Sequence, residues 1–248
     1  RLGGRGDSQE SYSPDLQKAH PKHGSIEGHE RIEIKPHLTA YPHFGLSIIR
    51  APRWHITFRH PTYQRRQPTG HFHNDQLSIT VSLDGMPLLV DPGTYRYTSD
   101  ATMRNALRDF PAHNTFFAQT QVNAPALREN LFALERGEQH SKQFHRALTL
   151  DQTQKTLTIT DWIENASQKT QITWTLNFAP EWEIENKSPN SWLIKKENKI
   201  YAVITTTQCF IKVERFFSPT YGSLVPTIGL EACAQSIGPE KIIIQLGS

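Results

Sequence analysis

The sequence predicts an all-β fold, an antiparallel β-sandwich with few short helices. Three observations carry this. Short runs rich in Ile, Val, Thr, Phe and Trp recur along most of the chain, separated by turn residues. One run alternates strictly between apolar and polar residues and closes on a two-residue turn signal. Only two short stretches have helical composition.

Residues 1–40 read as an irregular polar N-terminal segment, and residues 41–248 as the sandwich domain. In the first segment Arg5-Gly6-Asp7-Ser8 is read as a chance tetrapeptide, and His20, His23, His29 and His37 as solvated loop histidines. The chain opens Arg1-Leu2-Gly3-Gly4, without Met or an apolar leader, so it is read as a trimmed fragment. From about residue 44 the texture changes. Leu46 to Arg50 and Trp54 to Phe58 have strand composition, split by Ala51-Pro52. A basic loop, Thr62 to Thr69, follows. Leu77, Ile79, Val81 and Leu83 then alternate with Ser78, Thr80 and Ser82, the signature of a strand with one buried face. Asp84-Gly85 marks a hairpin, and Pro87 to Asp91 returns. Further strands are predicted over 114–118, 147–150, 156–161, 171–178, 192–195, 200–206, 210–216 and 241–246. Asn165-Ala166-Ser167, Ser188-Pro189-Asn190 and Tyr221-Gly222-Ser223 are turns; residues 100–110 and 123–131 are the two helical stretches.

Composition excludes some classes. No apolar run approaches the roughly 20 residues of a membrane span. A net charge of +3 suits an acidic ligand and is too small to indicate nucleic acid. Cys209 and Cys233 lie on apolar segments and are expected to be buried thiols, with neither a disulfide framework nor a cysteine-type zinc site.

Chemistry concentrates in Gly70-His71-Phe72-His73-Asn74-Asp75, in Asp91-Pro92-Gly93 and in Ala112-His113-Asn114-Thr115. Histidine and aspartate gathered at strand ends are materials for a metal site or an acid/base site. Extended backwards from Leu77, the strand would put Asp75, His73 and His71 on its apolar face, where unpartnered polar groups cost about 1–3 kcal/mol each. A simple hairpin pairs Asp91 near Ser78 and leaves His73 roughly 16 Å further along, facing the other side. For His73 and Asp91 to share a metal, residues 71–76 must curl over the sheet end or a bulge must shift the face. A straight strand from His71 to Leu83 rules the shared metal out.

Taken in order, the blocks at 70–78, 84–95, Arg108 and 112–115 resemble the C-terminal β-sandwich of the heparinase II/III-like polysaccharide lyases. Weaker echoes follow at Arg146, Thr158 to Asp161, Asn177 to Pro180 and Tyr221-Gly222. The resemblance implies a metal held by His73, Asp91 and His113, with zinc expected and another divalent ion as the alternative. The metal would organise the cleft and not act hydrolytically. It implies a catalytic, substrate-facing role for His71, and substrate-side or supporting roles for Arg104, Arg108 and Asn114. Tyr95 and Tyr97 are further hydroxyl donors without a specific assignment.

The implied reaction is β-elimination on a uronic-acid-containing polysaccharide, which needs the uronate neutralised, a positioned base and an acid for the leaving oxygen. Guanidinium forks at Arg104 and Arg108 suit a carboxylate. The family places a helical toroid before the sandwich, and that partner region is absent here, so the isolated chain is expected to be incomplete for catalysis. A periplasmic or secreted location is implied by resemblance alone. Two other classes compete. A cupin-type metal site needs a Glu four to five residues after the second histidine, where Leu77 and Ser78 stand. A non-catalytic polysaccharide-binding sandwich needs no further catalytic residues. Trp162, Trp174, Trp182 and Trp192 are a candidate sugar platform, with Trp174 expected in the core.

Overall fold

The hairpin read from the alternating run anchors the architecture. Asp84 and Gly85 both adopt left-handed backbone, at φ 52 and φ 80, as a type I′ turn requires. They join Ile79–Leu83 to Met86–Leu89. The computed structural model describes residues 36–60, 73–118, 143–164, 171–235 and 238–247. The loop over 62–69, the helix over 123–131, the turn at 165–167, and His20, His23, His29 and His71 lie outside the described residues.

In chain order the described strands are β1 His37–Tyr41, β2 Leu46–Ala51, β3 Trp54–Arg59, β4 Ile79–Leu83, β5 Met86–Leu89, β6 Phe116–Ala118, β7 Gln143–Asp151, β8 Thr156–Glu164, β9 Gln171–Asn177, β10 Glu183–Ser188, β11 Ser191–Lys196, β12 Lys199–Thr206, β13 Ile211–Phe217, β14 Val225–Gln235 and β15 Glu240–Leu246. One helix, α1 Ala101–Arg108, and a 3-10 turn, Phe110–Ala112, complete them. The pairing is antiparallel in three sheets. β1 to β5 form a meander; β10-β11-β12-β15-β8-β7 form a six-stranded sheet; β13-β14-β9-β6 form a four-stranded one. This is the predicted all-β sandwich.

One apolar core draws on all three sheets, including Ile56, Val81, Leu157, Ile159, Trp174, Leu176, Ile204, Leu230 and Ile244. In β4 the alternation is as predicted, with Ile79, Val81 and Leu83 buried. β5 departs from a simple hairpin. Val81 opposes Leu89 while Ser82 opposes Pro87, so Leu88 is an extra, bulged residue and both Leu88 and Leu89 are buried. β5 also meets the end of β9: the Val90 N–H donates to the Asn177 carbonyl at 3.0 Å, and the Ala179 N–H donates to the Leu88 carbonyl at 3.0 Å. The first sheet is thus stitched to the third just before Asp91.

β1, β10 and β14 were not among the predicted strands. β14 contains Pro226, Gly229, Ala232 and Ala234, all poor strand formers. It is held by pairing on both sides, to β13 and to β9. The cysteines are a correction. Cys209 and Cys233 are both exposed free thiols. On β14 the inward positions belong to Leu230 and Ala232, so Cys233 points outward. Trp174 is in the core, as expected, but so are Trp182 and Trp192, which leaves them no open face for a sugar platform. Among the described residues no helix is long and apolar enough to cross a membrane.

Candidate metal centre

The straight strand that would have separated His73 from Asp91 does not form. Residues 73–78 turn before β4 begins: the Ser78 N–H donates to the Asp75 carbonyl at 3.1 Å, and Leu77 takes a left-handed φ of 60. A leucine in that region is uncommon and requires outside support. Arg146 on β7 supplies it. Its guanidinium donates to the Leu77 carbonyl at 2.8 Å and to the Asn114 carbonyl at 2.7 Å, and it grips Asp161 on β8 through two bonds of 2.6 and 2.7 Å. Both charged side chains are 1% exposed. One buried ion pair therefore fixes the segment after His73 and the residue after His113.

Asn114 binds the remaining pieces. It is fully buried. Its amide nitrogen donates to the carbonyls of Ile79 and Val90 at 2.8 and 2.9 Å, and its oxygen accepts from the Asn177 N–H at 2.6 Å. The side chain has no exposed surface. What it does in this fold is to tie β4, the end of β5 and the end of β9 together around Asp91 and His113. Thr175 adds a bond to the His113 carbonyl at 2.6 Å, and Thr115 one to the Gln76 carbonyl at 2.7 Å. Asp91 follows β5 and is bent by Gly93, whose N–H donates back to the Asp91 carboxylate at 3.0 Å.

These supports bring His73, Asp91 and His113 together, with one ligand-type atom from each lying within 4.8 Å of the others. His113 Nδ1 stands 3.1 Å from Asp91 Oδ2. The His73 and His113 rings are 5.3 Å apart, centre to centre. Thr94 Oγ1 lies 3.5 Å from His73 Nε2.

The donor chemistry fits a divalent ion. Two imidazoles and a carboxylate are a common zinc set. His113 Nε2 is buried and has no hydrogen-bond partner among the described residues, a cost that ligation would remove. Two ligands on one tetrahedral zinc stand about 3.3 Å apart, so from the 4.8 Å limit the widest spacing would contract by about 1.5 Å.

The electrostatics favour the ligating protonation states. Burial, followed by the neighbouring His113, lowers the His73 pKa to about 4. The ring is therefore neutral at neutral pH, with a lone pair available. Asp91 keeps 46% of its side chain exposed; partial desolvation acts upwards, but the hydrogen bond and charge of His113 and the Gly93 N–H outweigh it and hold the carboxyl below its ordinary value. Asp75 does not join the set. Burial raises its pKa, and Arg59 at 3.3 Å partly offsets this.

Arg104 and Arg108 lie on α1. Arg104 donates to the Tyr97 carbonyl at 2.6 Å and to Asn105 Oδ1. Arg108 is near enough to depress the His73 pKa, and its carbonyl accepts from the Asn74 N–H at 2.8 Å. His71 is outside the described residues. Thr94, Asp161 and Arg146's anchoring role were not anticipated. The sequence marks Arg146 and Asp161 only as weak echoes of the resemblance; their pairing rests on the register that sets Arg146 opposite Asp161 on neighbouring strands.

Comparison with known proteins agrees with the fold. Residues 33–132 match the sequence family described as heparinase II/III-like, C-terminal. No curated protein matches the chain. A solved structure described as Heparinase III is similar at 12% identity and a TM-score of 0.61, over 86% of this chain and 37% of that one. A Heparinase III with methylated lysines is similar at 12% identity and 0.59, over 84% and 35%. The heparan sulfate lyase HepC from Pedobacter heparinus is similar at 11% identity and 0.57, over 84% and 36%. At such identities the likeness is one of fold, and the chain spans little more than a third of the length of these proteins.

Proposed function

We propose, from the match of residues 33–132 to the family described as heparinase II/III-like, C-terminal, that the chain is the β-sandwich part of a polysaccharide lyase that cleaves a uronic-acid-containing polysaccharide by β-elimination. The observation that carries the site reading is the convergence of His73, Asp91 and His113 within 4.8 Å, with His113 Nε2 buried and unpartnered. His73, Asp91 and His113 would hold a zinc ion. When bound, it would supply a fixed positive charge that cross-links the three segments and organises the cleft beside them.

In the proposed reaction a base removes the proton on the carbon next to the uronate carboxylate. The electron pair forms a carbon–carbon double bond, the bond to the glycosidic oxygen breaks, and that oxygen takes up a proton. His71 is proposed to face the substrate as base or as neutraliser of the carboxylate. Arg108, beside His73, and Arg104 would attract the uronate. Asn114, fully buried, would act by holding Asp91 and His113 in place. The remaining acid or base would come from a helical toroid, the partner region that the family resemblance implies. The similarity to heparan sulfate lyases supports an acidic polysaccharide as the substrate class.

Elemental analysis of the purified chain tests the metal reading. One zinc per chain, lost in both His73→Ala and His113→Ala, is expected; wild-type protein that folds and carries no metal overturns it. Elimination is tested by the ultraviolet absorbance of unsaturated uronate ends. These should appear when the chain is joined to its helical partner region and disappear in His71→Ala. Cleavage products with saturated ends would point to hydrolysis instead.

A further inference from the structure

Resting on the reading of the chain as part of an acidic-polysaccharide lyase, we infer that Tyr97 and Tyr221, together with Arg96, form a subsite that stacks one sugar ring and pairs its anionic group. The patch grows out of the loop that carries Asp91. Two residues beyond Gly93 (φ 74), Tyr95 also adopts a left-handed φ, of 65. A bulky aromatic residue in that region is a genuine outlier and persists only where its surroundings hold it. The Gly222 N–H donates to the Tyr95 carbonyl at 2.8 Å, and the Ser218 N–H donates to the Pro92 carbonyl at 2.8 Å. These bonds seat the loop on the turn after β13. From α1, Arg104 grips the Tyr97 carbonyl at 2.6 Å.

What this bracing presents to solvent is an aromatic pair. The Tyr97 and Tyr221 rings lie 6.0 Å apart, tilted by 31°, and remain 44% and 69% exposed. Nothing in the packing of the core requires two large rings there, since both stand outside the apolar cluster. Arg96 lies over the Tyr95 ring, 4.9 Å from its centre. Its Nε is 4.0 Å from the point where a side chain on Gly222 would begin, an ordinary contact distance that places the guanidinium beside the turn bearing Tyr221. Phenol rings offer apolar faces to the C–H face of a sugar and hydroxyls to its rim, and the guanidinium fork suits a carboxylate or sulfate.

Isothermal titration of the full chain with a heparan sulfate hexasaccharide, and with neutral cellohexaose as control, tests the subsite. Tyr221→Ala is expected to weaken binding of the acidic probe about tenfold, and Tyr221→Phe, which keeps the ring, by no more than about twofold. Arg96→Met should weaken the acidic probe and flatten its salt dependence. Tyr221 is exposed and Arg96 half-buried, and unchanged melting temperatures would exclude misfolding as the cause. Tyr221→Ala binding as tightly as wild type overturns the inference. So does a wild-type chain that binds neither probe, or both equally. His73→Ala separates the two claims: loss of zinc with unchanged probe binding supports a subsite independent of the metal. A zinc-free wild-type chain whose binding still depends on Tyr221 overturns the zinc reading and leaves the subsite standing.

Discussion

Arg146→Met is the perturbation that asks most of this structure. The side chain is 1% exposed and makes four bonds: two to Asp161 and one each to the carbonyls of Leu77 and Asn114. Methionine keeps much of the volume and removes every donor. Breaking a buried ion pair by removing one partner costs about 3–5 kcal/mol, because the other charge is left buried. Each carbonyl that loses a charged donor adds about 1.5 kcal/mol, although such losses are not additive. A total near 5 kcal/mol is therefore expected, a large share of the roughly 5–15 kcal/mol that stabilises a typical domain. The assay is equilibrium urea unfolding, followed by tryptophan fluorescence. Asp161→Leu added to Arg146→Met removes the orphaned carboxylate and should recover part of the loss. The variant should also bind zinc more weakly, since Leu77 and Asn114 flank the segments that bear His73 and His113. A single variant destabilised by less than about 1 kcal/mol, the range of an exposed pair, would refute the claim that this pair anchors the site.

Three other expectations follow from particular residues. Gly93→Ala would place a Cβ 2.3 Å from the Ser218 carbonyl oxygen at a φ of 74; a loss of at least about 2 kcal/mol and weaker zinc binding are expected in unfolding and metal titrations, and a neutral variant would contradict the loop geometry. His73 has a folded pKa of about 4 against an ordinary 6.5, so the unfolded chain takes up its proton first as pH falls. The metal-free protein should therefore lose stability between about pH 6.5 and 4, beyond what a His73→Gln variant loses; an NMR titration of the ring with a midpoint above 6 would contradict this. Cys209 and Cys233 are both exposed, so the native protein should react with two equivalents of a thiol reagent without denaturant, and protection of either thiol would contradict their placement.

The hairpin was legible because its signals are local. Alternation sets the buried face of β4, and Asp84-Gly85 supplies two residues tolerant of left-handed backbone. The turn at Leu77 was not, because leucine carries no local preference for that conformation; Arg146, far away in sequence, imposes it. A bulge enters the sequence reading only as a condition and without a position, since Pro87-Leu88-Leu89 does not say that the extra residue is Leu88. β14 escaped because its proline, glycine and alanines read as turn or loop, while pairing on two sides overrides that preference. The grouping of His73, Asp91 and His113 came from family resemblance. Spacing alone left a metal site and an acid/base site equally open, and the parity of the extended strand argued against a shared ion until the chain was seen to turn.

X-ray absorption at the zinc edge, on the purified zinc-loaded chain, tests the metal reading most directly. Nitrogen and oxygen scatterers at about 2.0–2.2 Å with the outer-shell signature of two imidazoles are predicted. Sulfur scatterers at about 2.3 Å, pointing to the exposed cysteines, or a spectrum without imidazole, would contradict it.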